Sequence, residues 1–231
     1  MSTIATPAPD QTTDPTDLWS RFFGRLVPIL AVVGPALALA AALFVTLQVQ
    51  MLPDDLDWIS EPESLLFYLG AIALPVTWIV IGRAIARQAP RTGIVVTIAG
   101  VLGSFTGVSA AAWRHMSIDL VDHGVDPNLV NEVWENPTLY SALATMVTFP
   151  AFFITPIIAG IAVVRAKVAP AWTGVALLCF GPTLMAAQGF YAAIEITYPL
   201  AWIFMLSAVV GVLRANTAPT STWRSPDSKT S

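Results

Sequence analysis

Six long apolar runs alternate with short polar segments along the 231-residue chain. Because about twenty helical residues cross the hydrocarbon layer of a membrane, each run predicts a transmembrane helix. Strands of a membrane barrel would alternate apolar and polar residues, and runs such as ALALAAALFV do not. The predicted spans are 27–47, 65–82, 94–113, 141–164, 172–191 and 196–213. The pattern therefore predicts an all-α, polytopic six-helix transmembrane bundle.

A short amphipathic helix is predicted between the third and fourth spans, in the segment WRHMSIDLVDHGVDPNLVNEVWENP. Asp126 is placed to cap this helix and Pro127 to begin it. Its apolar stripe would be formed by Leu129, Val130, Val133 and Trp134. Such a helix would either lie on the membrane surface or fold over the mouth of the bundle.

Composition and charge agree with a membrane protein and orient it. Hydrophobic residues make up 55% of the chain and charged residues 11%, which is too little polar surface for a soluble globule. Ten of the eleven Lys and Arg residues fall on one side of the predicted spans. Under the positive-inside rule that side is cytoplasmic, so both termini are predicted there and the amphipathic helix lies outside. The net charge of −4 gives no reason to expect nucleic acid as a partner.

The two ends of the chain differ from the membrane domain predicted at 21–214. Residues 1–20 and 215–231 are rich in Thr, Ser, Pro and Asp and contain few apolar residues. Such segments bury too little surface to offset the entropy of ordering, so both are predicted to be disordered cytoplasmic tails.

Chemistry-bearing residues are few. His115, Asp119 and Asp122 have a spacing that would place them on one helical face, where they could hold a divalent metal. The competing interpretation is that they belong to a solvated connection and bind nothing, and we adopt it. The spans contain no ionisable residue near mid-membrane and no recognised catalytic or haem-binding pattern, so we expect no enzyme activity and no cofactor.

Isolated charges stand at two span ends on the outer side. Arg114 and Glu195 could pair across the bundle, or each could extend to the interface independently. At the start of the second span, Ser60 and Glu63 match a capping box with Pro62 in the first turn.

Small residues and prolines predict the packing of the spans. Gly100, Gly103 and Gly107 in the third span predict close contact with another helix of the same bundle. Prolines inside the spans predict kinks, since each removes a backbone hydrogen bond, and the kinks could open a cavity. These residues are Pro35, Pro75, Pro150, Pro156 and Pro182.

The segment RAKVAPAWTGVALLCFGPTL, a basic turn with Pro-x-Trp followed by a span rich in small residues, resembles the start of the fifth span in uncharacterised six-span bacterial membrane proteins. The resemblance covers about residues 140–214. It implies a multi-pass protein of the bacterial inner membrane and carries no activity, substrate or site residue with it.

Two classes of function agree with these features. The first is a non-enzymatic accessory, scaffold or envelope component, whose membrane-protein partner or oligomeric state the sequence does not specify. The second is a small transporter or permeation pathway for an uncharged or apolar solute. A sealed bundle favours the first class, and a polar cleft beside Pro75, Pro150 or Pro182 favours the second.

Overall fold

The computed structural model describes residues 15–49, 61–136, 138–189 and 194–217. Helices fill these ranges apart from short connections, and the ranges contain no strand, which confirms the all-α prediction. The helices are α1 (Pro15–Val49), α2 (Glu61–Ala86), α3 (Pro90–Asp122), α4 (Pro127–Glu135), α5 (Leu139–Ala166), α6 (Ala171–Gly189) and α7 (Ile194–Thr217).

Five of the described helices are long and apolar enough to cross a membrane. Their candidate spans are Phe22–Leu47, Pro62–Ala86, Pro90–Asp122, Ser141–Ala166 and Ile194–Asn216, and each contains one predicted span. The predicted span 172–191 begins inside α6, which is apolar but shorter, and ends outside the described residues. The architecture is therefore that of a helical membrane protein.

Helices α1, α2, α3, α5, α6 and α7 form a closed ring. Each contacts the next in chain order, as the short connections require, and α7 returns to contact α1. Helix α2 also reaches α5 and α7, so it lies nearest the centre of the ring. Glycines permit the closest approaches, for example between α1 and α2, where a Cβ added to Gly70 would stand 2.9 Å from the carbonyl oxygen of Gly34.

The inside and the outside of the ring are both lined largely by apolar side chains. Large side chains fill the centre, among them Trp78, Trp202 and Phe180. Aliphatic side chains such as Ile98 and Ile203 project outward and are about half exposed. An apolar exterior of this kind needs lipid as its solvent.

Two helices extend beyond the predicted spans. Helix α3 continues nine residues past the predicted end at Trp113, because hydropathy falls there while the helical hydrogen bonds persist to Asp122. Helix α1 begins at Pro15, inside the segment predicted as a disordered tail at 1–20, and α7 ends at Thr217, inside the one predicted at 215–231. The rest of both predicted tails lies outside the described residues.

The short helix between the third and fourth spans is present as α4. The Asp126 side chain accepts a hydrogen bond from the backbone N–H of Asn128 at 2.9 Å, and Pro127 begins the helix, as predicted. Gly124, with a φ of 86°, makes the turn that separates α3 from α4. Among the described helices α4 contacts α3 alone, so it packs back on the end of α3 and does not cover the ring.

The chain connections define two ends of the ring. The end that we call the arginine end carries exposed basic residues in or beside the α2–α3 and α5–α6 turns and near the end of α7: Arg83, Arg87, Arg91, Arg165, Lys167 and Arg214. A hydrogen bond of 2.5 Å from Arg87 to the side chain of Asn216 joins two of these segments. The opposite end, which we call the α4 end, carries α4 and the first turns of α2, α5 and α7.

Candidate functional site

A buried ion pair lies at the α4 end between α2 and α3. Nη1 of Arg114 donates to Oε1 of Glu63 at 2.6 Å. The Glu63 side chain is 0% exposed and that of Arg114 is 18% exposed. A lone charge within lipid costs about 3 kcal/mol, so the pairing allows both charges to lie inside the rim of the ring.

Aromatic side chains from two helices enclose this pair. One turn after Glu63, the ring of Phe67 lies under the guanidinium of Arg114, with 5.7 Å between Cζ and the ring centroid. Tyr198 and Trp202 of α7 then pack edge-on against Phe67, at centroid distances of 6.5 and 6.1 Å. The pair therefore joins α2, α3 and α7 at one point.

The carboxylate beside Arg114 is not the one the sequence indicated. From the sequence, Glu195 could either pair with Arg114 or extend to the interface independently. In the structure Glu63 holds the ion-pair position, and the Glu195 backbone carbonyl accepts a hydrogen bond from Thr46 at 2.9 Å. Glu63 was assigned to a capping box, and its partner Ser60 lies outside the described residues. The missed signal is periodicity: Glu63 continues the buried face of α2 that also carries Phe67, Gly70 and Leu74.

The residues proposed as weak metal ligands are exposed on α3. Nδ1 of His115 lies 3.5 Å from the Ser64 hydroxyl of α2, so this ring faces a neighbouring helix. The backbone carbonyl of Asp119 accepts a hydrogen bond from Nδ1 of the His123 ring at 2.7 Å. In the part of the chain that the structure describes, no group of three His, Cys, Asp or Glu residues is arranged to hold a metal ion.

The three glycines of α3 differ in their surroundings. A Cβ on Gly100 would overlap the Trp78 indole, and one on Gly103 would stand 2.7 Å from the Phe152 Cα. At Gly107 the nearest atom would be the Ala71 Cβ, at an ordinary 3.5 Å. Close approach within the bundle therefore occurs at Gly100, against α2, and at Gly103, against α5.

All five predicted kink residues lie inside helices, in varied surroundings. Pro35 and Pro156 are buried, Pro75 is half-buried, and Pro150 and Pro182 are exposed. The last two are therefore on the outer surface of the ring and do not border an interior cleft.

Threonines satisfy two of the carbonyls that prolines leave without a helical partner. Pro35 has no N–H for the Ala31 carbonyl four residues earlier, and the buried Thr77 hydroxyl donates to that oxygen at 2.8 Å. Pro199 in α7 likewise frees the Glu195 carbonyl, which accepts from Thr46. Each bond joins one helix to the next around the ring, α2 to α1 and α1 to α7.

Two apolar grooves lie outside the packed centre of the ring. One, of about 250 Å³, lies between the end of α3 and α4 and is lined by Trp113, Met116, Leu120, Val125, Leu129, Val130 and Val133. The other, of about 200 Å³, lies between α2 and α3 near Arg83. The packed centre of the ring separates both from its axis.

Comparison with protein-family models, with curated proteins and with solved structures gave no match for this chain. Function is therefore inferred from the fold and from the sites described above.

Proposed function

We propose that this chain is a six-span protein of the bacterial inner membrane that acts as a non-enzymatic accessory or scaffold component. The proposal takes α6 as the sixth span, because its 19 residues rise about 28 Å, close to the hydrocarbon thickness. It places the arginine end in the cytoplasm under the positive-inside rule. The resemblance to six-span bacterial membrane proteins agrees with this assignment.

The observation that carries the proposal is the filling of the ring. Trp78, Trp202, Phe180, Leu74 and Met205 are at most 1% exposed and occupy its centre. The buried hydroxyls of Ser104 and Thr155 bond to carbonyls of their own helices at 2.8 and 2.6 Å. A permeation pathway would instead need polar groups facing a solvated cleft.

Thiol accessibility tests the closed ring. The chain has one cysteine, so Cys179→Ser gives a background without thiols. In this background we expect Met205→Cys to resist a membrane-impermeant thiol reagent in proteoliposomes and to react only after denaturation. Arg214→Cys, at the arginine end, is the exposed control. Rapid labelling of Met205→Cys, together with glycerol flux above that of empty liposomes, would establish the transporter alternative.

The same reagent tests the topology in intact spheroplasts. Under the proposed arrangement Asp122→Cys and Ile196→Cys are labelled from outside, whereas Lys167→Cys is labelled only after lysis. Labelling of Lys167→Cys and Ile196→Cys from the same side would show that α6 does not span the membrane. That result would leave the closed-ring test unaffected.

A further inference from the structure

The apolar groove between α3 and α4 is built by a small helical hairpin outside the ring. Trp113, Met116 and Leu120 recur at helical spacing along the α3 wall, and Leu129 and Val133 do so along the α4 wall. Val130 is 7% exposed and anchors α4 against α3. Leu129 and Val133 each remain 52% exposed, so the hairpin leaves part of its apolar face uncovered.

This uncovered face continues into the lipid-facing surface of the bundle. The groove passes beside Trp113, the last residue of the predicted third span, and Trp rings favour the boundary between headgroups and hydrocarbon. Met116, which lines the groove, is 45% exposed and extends the apolar surface along α3. The bilayer that covers the spans therefore reaches the groove without interruption.

The charge around the groove selects among headgroups. Between Arg114 and Arg165 the sequence contains no Lys or Arg, whereas Asp119, Asp122, Asp126 and Glu132 are exposed around the hairpin. An anionic headgroup such as phosphatidylglycerol would meet the like charge of these four carboxylates there. A zwitterionic headgroup can present its ammonium to these carboxylates, as in other exposed ion pairs.

We infer that the α3–α4 groove seats an acyl chain of a zwitterionic phospholipid, so that α4 lies in the headgroup region of the leaflet at the α4 end. The apolar stripe of α4 then faces hydrocarbon, while Asn128 and Glu132 face water. This inference holds whichever side of the membrane the α4 end occupies, so it stands independently of the proposed topology and function.

Adjacent positions on α4 provide the test and its control. In the Cys179→Ser background, Val133→Cys and Glu132→Cys are each labelled with an environment-sensitive fluorophore, and the full chain is placed in nanodiscs. In nanodiscs of brominated phosphatidylethanolamine we expect lipid quenching of the label at position 133 and little quenching by aqueous iodide. The label at position 132 should show the reverse.

Headgroup preference forms the second arm. The brominated phosphatidylethanolamine is then diluted with phosphatidylglycerol. We expect the local fraction of the zwitterionic lipid at the position-133 label to exceed its bulk fraction by on the order of threefold. The triple variant Asp119→Asn, Asp122→Asn, Glu132→Gln should abolish that enrichment and keep the quenching by lipid. Enrichment that survived the triple variant would overturn the headgroup assignment.

Two outcomes would overturn the groove assignment itself. Equal iodide access to the labels at 133 and 132 would mean that water fills the groove. Energy transfer between separately labelled copies, together with loss of lipid quenching, would mean that a second copy of the chain covers it.

Discussion

Glu63 and Arg114 combine a short contact with complete burial of the carboxylate and partial burial of the guanidinium at the rim of a lipid-facing bundle. Their mutual attraction is strong because water is largely excluded, and for the same reason neither charge is tolerated alone. The Phe67 ring beneath the guanidinium adds a face that stabilises the cation. The consequence at the residue scale is that the two side chains act as one unit.

Removing one member of this unit should destabilise the protein more than removing both. We expect Glu63→Gln to lower the free energy of unfolding by about 3 kcal/mol, the lower end for a broken buried pair, since Arg114 keeps some access to water. Glu63→Gln combined with Arg114→Met should recover part of that loss. Thermal and denaturant unfolding in detergent micelles measure both, with Glu132→Gln as the exposed control.

Charge reversal distinguishes this pair from the Arg114–Glu195 pair that the sequence left open. Glu63→Arg combined with Arg114→Glu should recover stability relative to either single variant. Rescue instead by Arg114→Glu with Glu195→Arg would show that the pair across the bundle is the relevant one.

At the scale of the helix, proline is tolerated in the ring where a neighbouring helix replaces the missing hydrogen bond. An unsatisfied carbonyl in lipid costs several kcal/mol, so the Ala31 carbonyl that Pro35 leaves free is bonded to Thr77, 46 positions away along the chain. Pro199 and Thr46 repeat the arrangement at the junction of α1 and α7. These threonines act both as partners for the backbone and as ties between helices.

A double-mutant cycle measures the coupling between Thr77 and Pro35. Thr77→Val should cost about 1–2 kcal/mol, because it leaves the Ala31 carbonyl without its donor. In a Pro35→Ala background the same substitution should cost much less, since the new backbone N–H can serve that carbonyl. Unfolding in micelles supplies the four free energies. Thr148→Val is the matched control, because the Thr148 hydroxyl bonds within its own helix at an exposed site. An equal loss of stability from Thr77→Val in both backgrounds would contradict the role of Thr77 as partner of the freed carbonyl.

At the scale of the whole molecule, a chain of aromatic rings connects the helices across the ring. Phe67 of α2 contacts Trp202 of α7, Trp202 contacts Phe180 of α6 at 5.3 Å, and Phe180 contacts Phe152 of α5 at 6.2 Å. In a membrane the acyl chains solvate apolar side chains, so exclusion of water does not drive the helices together. Close packing between the helices favours the assembled ring instead.

Trp202 should therefore dominate the stability of the core. We expect Trp202→Ala to lower the free energy of unfolding by at least about 3 kcal/mol, because the cavity removes contacts with two other helices. Ile203→Ala, on the next residue and 45% exposed, should change it by about 0.5 kcal/mol or less. A small effect of Trp202→Ala in the same unfolding assay would show that the ring does not depend on its aromatic centre.

The sequence by itself determined the features that depend on chain composition within one helix. Hydropathy located the apolar helices, because lipid requires long uninterrupted apolar runs, and local cap chemistry located α4 at Asp126 and Pro127. Only the tertiary structure decided which helices meet. Glu63 rather than Glu195 lies against Arg114, and Thr77 serves the carbonyl freed by Pro35, because such pairs depend on the rotation and height of helices that are distant in the chain. The hydrophobic pattern is the same for many such arrangements, and close packing in three dimensions selects one of them.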